Sequence, residues 1–263
     1  MRTRAKAERA RAVMGLAIAV LLLAVPARAA GTTPFAPSIS DLPWQPTAAV
    51  AKANVLQFKY QGRDWDHPTQ QAQQGLNFVG SFVLSGDSEY LSLAERNARY
   101  LLYRSTRVGS ALWFSFPFTW DKGAPELMRA PWYSGLTQGK ALGLFSRLYG
   151  LTSDPRWKAA ADGVFASYLA PRSSTAPWFS RTLPDGSTWF EEYPDGWPSD
   201  RILNGNIGAI FGLWDYWRIS RDPVSTDLLA RAIASVKQAR GPAHCAGPYP
   251  TSPCSGPRVA LAQ

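Results

Sequence analysis

Histidine and cysteine are scarce in this 263-residue chain: His67, His244, Cys245 and Cys254 are the only ones. So few histidines nearly exclude both a multi-histidine metal site and a histidine-based triad. There is no glycine-rich phosphate loop, no HExxH, no CxxC and no Gly-x-Ser-x-Gly, so neither a cofactor nor a metal is implied. Any chemistry has to come from Glu, Asp, Tyr or Lys. Both cysteines lie in the last 20 residues, where they could pair with each other in an exported chain but could not staple the main fold. No Lys/Arg-rich run tracks phosphates, which argues against nucleic acid as a partner.

Long apolar runs are also missing. LAIAVLLLAV, the apolar stretch near the start, is shorter than the ~20 residues that span a bilayer. It follows the basic MRTRAKAERARAVMG and precedes Ala27-Arg28-Ala29, the layout of a secretory signal peptide over residues 1–30. The expected location is secreted or in the cell envelope or periplasm, without stable membrane insertion after cleavage. Those 30 residues carry six basic side chains and one acid, so +5 of the formal net charge of +9 belongs to targeting. The remainder, about +4, suits an anionic substrate without demanding one.

Helical repeats dominate what remains. Residues 31–48 read as a linker or extended arm, and from about 49 the pattern turns helical. QQGLNFVGSFVLSGDSEYLSLAERNARYLLYRS (73–105), QGKALGLFSRLYGLTSDPRWKAAADGVFASYLA (138–170) and NGNIGAIFGLWDYWRISRDPVSTDLLARAIASVKQ (204–238) share one design. Each is an apolar helix, a short break with an aspartate, and a second amphipathic helix. Asp87, Asp154 and Asp222 are placed to cap the second helices, with Pro155 and Pro223 at the favoured first helical position. Leu91, Ala94, Ala98, Leu101 and Leu102 give one buried face. Trp113-Phe114-Ser115 and Trp178-Phe179-Ser180 open aromatic, strand-like stretches with turn chemistry at Asp121-Lys122-Gly123 and Pro184-Asp185-Gly186-Ser187. The expected fold is all-α: an α/α toroid of helical hairpins, with small β-hairpins in the loops. The glycine-rich first helices form its inner ring. An irregular helical bundle is the plainer alternative. Residues 241–263, rich in Gly and Pro without a period, are expected to be disordered.

Three stretches could carry chemistry. In WFEEYPDGWP (189–198), Glu191 and Glu192 sit among aromatics, where desolvation raises a carboxyl pKa and makes it a better base or a usable acid. Adjacent strand residues point to opposite faces, so one glutamate can line a cleft while the other turns to support. Tyr193 adds a phenol. In APWYSGLTQG (130–139), Trp132 and Tyr133 offer flat faces for a sugar and Gln138 a bidentate amide. In SDRILNGNIG (199–208), Arg201 is a candidate carboxylate clamp, while Asn204 and Asn206 can cap a helix or bind a hydroxyl. Tyr60, Arg63 and His67 are polar groups ahead of the first inner helix. The plain reading of all these is packing, capping and solvated surface.

PWYSGLTQG, WFEEYPDG and ILNG, in that order, resemble the C-terminal domain of the D-glucuronyl C5-epimerases over roughly 50–240. The resemblance implies an α/α barrel and cofactor-independent inversion at C5 of hexuronate residues, D-glucuronate to L-iduronate in type, within an anionic polysaccharide. It assigns the Glu-Tyr catalytic positions to Glu192 and Tyr193. Trp132, Tyr133, Gln138, Glu191, Arg201, Asn204, Tyr60 and Arg63 are then the candidate substrate-binding residues. The family's further tyrosine segments, after the third hairpin, have no counterpart in GPAHCAGPYPTSPCSG; the toroid is expected to be incomplete, as after a truncation or a shifted reading frame. A non-catalytic glycan-binding remnant, or a uronate lyase or hydrolase on the same toroid, are the competing readings. Assembly as a homodimer is left open.

Overall fold

The structure, a computed structural model, describes residues 55–122, 127–194 and 201–239. The expected signal peptide, linker, tail, both cysteines and Gly123 lie outside the described residues.

Three helical hairpins make up the body: α1 (Pro68–Ser85) with α2 (Ser88–Arg104), α3 (Gly135–Thr152) with α4 (Pro155–Tyr168), and α5 (Leu203–Ser220) with α6 (Pro223–Ala239). Each second helix starts where its aspartate caps it. Asp87 Oδ1 accepts from Glu89 N at 2.9 Å, Asp154 Oδ1 from Arg156 N at 2.9 Å, and Asp222 Oδ1 from Val224 N and Ser225 N at 3.0 Å. Such a cap is worth about 1 kcal/mol. The first helices form an inner row in which α3 packs against both α1 and α5. Among the described residues the fold is three successive hairpins of an α/α toroid.

Glycine lets the inner row close up. A β-carbon on Gly212 would lie 2.0 Å from Gly139 O, and one on Gly139 would lie 2.5 Å from the Ala209 Cα. The two backbones touch there, which only glycine permits. Polar contacts between inner helices fall at repeat spacing. Thr69 Oγ1 meets Thr137 Oγ1 at 2.5 Å, and Arg147 Nε donates to Asp215 Oδ2 at 2.7 Å.

Four antiparallel two-stranded hairpins fill the connections: β1 (Gln57–Tyr60) with β2 (Arg63–Asp66), β3 (Thr106–Val108) with β4 (Ala111–Trp113), β5 (Trp120–Asp121) with β6 (Leu127–Met128), and β7 (Ser180–Thr182) with β8 (Thr188–Phe190). The first corrects the expectation of helix from residue 49. Phe58, Tyr60 and Trp65 turn toward an aromatic cluster. Gln61 and Gly62, at φ 50° and 75°, supply the paired positive φ of a tight hairpin turn.

A buried amide on each inner helix locks hairpin to helix. Gln71 Nε2 donates to Leu56 O at 3.0 Å. Gln138 accepts from Phe114 N at 3.1 Å and donates to Leu112 O and Ser167 Oγ at 2.9 and 2.7 Å. Asn206 accepts from Phe190 N at 3.0 Å and donates to Ser235 Oγ at 3.4 Å. These positions recur at the same spacing as the capping aspartates.

Candidate active site

The site grows from the end of β8. That strand stops at Phe190, and the two glutamates then part, each running to the N-terminus of a different inner helix. Glu191 N donates to Phe179 O at 2.8 Å, and Glu191 O accepts from Gly135 N at 2.9 Å, serving the first residue of α3. Its carboxylate takes Arg181 Nε at 2.6 Å, with both side chains buried. Glu192 goes to α5, where its side chain lies against Gly205 in the first turn. Neither α3 nor α5 has a side-chain cap from its own N-cap residue, Ser134 or Ile202. The two glutamates serve those helix starts, and helix N-termini favour negative charge.

Glu192 is 6% exposed, and its Oε2 is buried without a hydrogen-bond partner of good geometry. Burial raises its pKa above the ordinary 4.5. The Tyr193 side chain, the Lys140 charge, the Gly205 amide and the Lys122 charge pull the other way and do not cancel it. Burial that disfavours the ionised form makes the Glu192 carboxylate a stronger base than an exposed one.

Tyr193 is half-buried beside an aromatic cluster on the rim. Phe116, Phe118, Met128 and Trp132 form the cluster's buried centre, with Phe58, Tyr60, Trp65, Trp120 and Tyr193 packed around it. The Trp132 and Tyr193 rings are 5.9 Å apart, and Lys122 Nζ lies 5.0 Å from the Tyr193 ring centre. The structure thus gathers Tyr60, Trp132, Glu192 and Tyr193 at one end of the inner row.

Two sequence-based assignments are corrected. Gln138 is fully buried and its amide is spent on Phe114, Leu112 and Ser167, so it holds the fold rather than a substrate. Trp132 is 7% exposed. One face stacks on Phe116 at 3.7 Å and its Nε1 donates to Phe118 O at 2.8 Å, so it packs the rim instead of offering a face to a sugar. Glu191 is bound to Arg181, the kind of supporting place that its alternation with Glu192 suggests. Tyr133 is half-buried edge-on to Trp113 at 5.4 Å in the main core, and burial pushes its phenol up. Arg63 is exposed on β2 opposite Tyr60. Asn204 is exposed on the first turn of α5. Arg201 precedes it at φ 48°, its charge among those acting on Asp185.

Lys140 and Gln73 escaped sequence reasoning. The half-buried Lys140 ammonium donates to Gln73 Oε1 across the α1–α3 contact, and Gln73 Nε2 donates to Asn77 Oδ1 at 2.7 Å. A usable signal existed: a lysine inside the otherwise nearly uncharged α3 sequence GLTQGKALGLFSRLYGLT. His67, the N-cap of α1, accepts from Gln70 N through Nδ1 at 3.3 Å and meets Phe58 and Phe116 edge-on. Burial lowers its pKa to about 4, so it is neutral at pH 7. Among the described residues no cluster of His, Cys, Asp or Glu could hold a metal ion.

No match is found among curated proteins. Among solved structures, a family 76 glycoside hydrolase from a bovine Bacteroides thetaiotaomicron strain is 15% identical with a TM-score of 0.47, covering 66% of this chain and 36% of its own. A GH76 α-mannanase from B. thetaiotaomicron is 10% identical with a TM-score of 0.48, over 68% and 46%. An unsaturated glucuronyl hydrolase from Streptococcus agalactiae is 14% identical with a TM-score of 0.42, over 62% and 41%. The chain spans less than half the length of each of these structures. Residues 110–242, just over half of the chain, match the family described as D-glucuronyl C5-epimerase C-terminus. That span contains both glutamates, Tyr193 and two of the three hairpins, and the chain belongs to the D-glucuronyl C5-epimerase C-terminus family.

Proposed function

We propose that this chain inverts C5 of hexuronate residues in an extracellular polysaccharide. The observation that carries this reading is the Glu192 carboxyl: buried, raised in pKa, one oxygen unpartnered, with Tyr193 beside it. The family membership supports it independently.

The C5 proton lies α to a carboxylate and is very weakly acidic. Removing it needs a positioned base, and the electrons of the C5–H bond then pass into the sugar's carboxylate as an enolate-like intermediate. Glu192 takes the proton as a carboxylate and becomes the neutral acid. Tyr193 is its partner: the phenol gives its proton to the other face of C5, and the phenolate left behind regains a proton from Glu192 or water. Returning a proton to the opposite face completes the inversion; atoms and charge balance without a cofactor.

The test is incubation with a glucuronate polymer in deuterated water. The proposal expects deuterium at C5, with no new reducing ends and no ultraviolet-absorbing unsaturated product. Reducing ends or an unsaturated product without C5 deuterium would move the assignment to a hydrolase or lyase. Polymer binding with no exchange would leave a glycan-binding protein.

A further inference from the structure

Lys122 is a charged side chain at the rim that the proton-transfer scheme leaves unused. It follows β5, whose register with β6 pairs Trp120 with Met128 and Asp121 with Leu127. Trp120 packs onto the aromatic cluster, its ring 5.3 Å from that of Tyr60. Side chains alternate along an extended chain, so Asp121 is exposed and Lys122 returns to the side of Trp120. There it is half-buried, and its Nζ lies 5.0 Å from the centre of the Tyr193 ring. The tryptophan two residues earlier thus anchors a cation against the Tyr193 phenol.

The order of the two proton transfers gives this cation a role. Glu192 has taken the C5 proton and is neutral when Tyr193 acts. Tyr193 then gives its O–H proton to the opposite face of C5. The electron pair of that O–H bond stays on oxygen, and the side chain becomes a phenolate. Lys122 keeps its three protons and offsets the new charge. Over a neutral ring the ammonium is held only by the ring quadrupole, a weak contact. Once the ring carries a full negative charge, the attraction at the same separation is Coulombic and larger. A contact that strengthens as charge develops speeds the step in which it develops. Other charged groups near the cluster are placed differently. Lys59, Arg63, Asp64, Asp121 and Arg129 are exposed, and Asp66 is paired with Arg104 at 2.7 Å. His67 is neutral at pH 7 against Phe116 and Phe118, and Lys140 donates to Gln73 of α1.

We propose that Lys122 is a positioning residue for the inversion, its ammonium stabilising the phenolate that Tyr193 becomes on giving up its proton. The catalytic part rests on the C5-epimerase reading; the coupling of lysine to phenol is measured without turnover. Charge carries the effect, and a guanidinium also sits well on an aromatic face, so Lys122→Arg retains it. Lys122→Met keeps the length of the side chain and removes the charge.

The experiment is an NMR titration of protein isotope-labelled at the tyrosine Cζ, with the Tyr193 signal identified by its loss in Tyr193→Phe. The midpoint of Tyr193 ionisation is expected to move to higher pH in Lys122→Met and to stay near the wild-type position in Lys122→Arg. For C5 deuterium uptake, Lys122→Met is expected to lose at least about tenfold in kcat with KM within about twofold, and Lys122→Arg to keep most of the rate. A Tyr193 midpoint that does not move in Lys122→Met, or that moves equally in Lys122→Arg, overturns the proposal in favour of a packing role. Should Lys122→Met fail to fold, Lys122→Gln is judged by the same criterion. A midpoint that moves as expected in a protein showing no C5 exchange defeats the epimerase reading and leaves the coupling in place.

Discussion

The Glu192 side chain fills the space that a β-carbon on residue 205 would need. A β-carbon built on Gly205 lies 2.4 Å from Glu192 Cβ, 2.6 Å from Oε2 and 2.9 Å from Cγ. The conflict is with the root of the side chain as well as its tip, so a rotamer change cannot relieve it. Gly205→Ala is expected to displace Glu192, cost about 1–3 kcal/mol of stability and remove C5 exchange. Urea denaturation and exchange kinetics on the same preparation check this. An active Gly205→Ala protein would show that Glu192 need not sit there.

The neighbouring glutamate carries a different expectation. Glu191 and Arg181 are a buried pair at 2.6 Å, and removing one partner takes the close opposite charge from the other. Arg181→Met is expected to cost about 3–5 kcal/mol. The loss should appear as a lowered melting temperature that substrate analogues do not restore. A loss under 1 kcal/mol would mean that the pair is not holding the β7–β8 hairpin.

The amide locks predict stability effects where the sequence suggested binding. Gln138→Leu leaves Phe114 N, Leu112 O and Ser167 Oγ without their buried partner. A loss of about 2–4 kcal/mol is expected, with saccharide affinity unchanged in the molecules that remain folded. Calorimetric binding and thermal melting separate the two effects.

The contrast between Gln138 and Glu192 shows what the sequence made legible. The helical hairpins, their capping aspartates and the glycine-rich inner row follow from local periodicity and cap chemistry, so Asp87, Asp154 and Asp222 are readable at once. The WFEEY block stands out because charge among aromatics is unusual. Which polar residue faces a cleft depends on packing between hairpins, which no local pattern records. Gln138 and Trp132 therefore look like ligand contacts but are spent internally. Lys140 looks like an ordinary helix lysine until Gln73, 67 positions earlier, closes on it. The β1–β2 hairpin was missed because its Gly62 turn is short and its aromatics pack onto Phe118, far along the chain.

His67 gives the fold a pH dependence with a definite sign. Its folded pKa is about 4 against 6.5 in the open chain, so the unfolded state binds the proton first as pH falls. Its stabilising contribution is complete above about 6.5 and is lost progressively toward 4, by at most about 3 kcal/mol. Protonation also removes the Nδ1 acceptor that caps α1. His67→Asn keeps a capping acceptor without the titration, so its urea midpoint should vary less between pH 7 and pH 4 than that of the wild type. Parallel curves would assign the acid sensitivity elsewhere.

The most direct measurement of the central claim is the rate of C5 deuterium uptake from heavy water by wild-type and Glu192→Gln proteins, followed across pH. Gln keeps the shape and cannot carry the proton. The account predicts that wild-type uptake rises with pH through a limb above 4.5, because burial raises the Glu192 carboxyl. It predicts at least about a hundredfold loss in Glu192→Gln at unchanged melting temperature. Uptake that persists in Glu192→Gln, with the same pH limb, would contradict it.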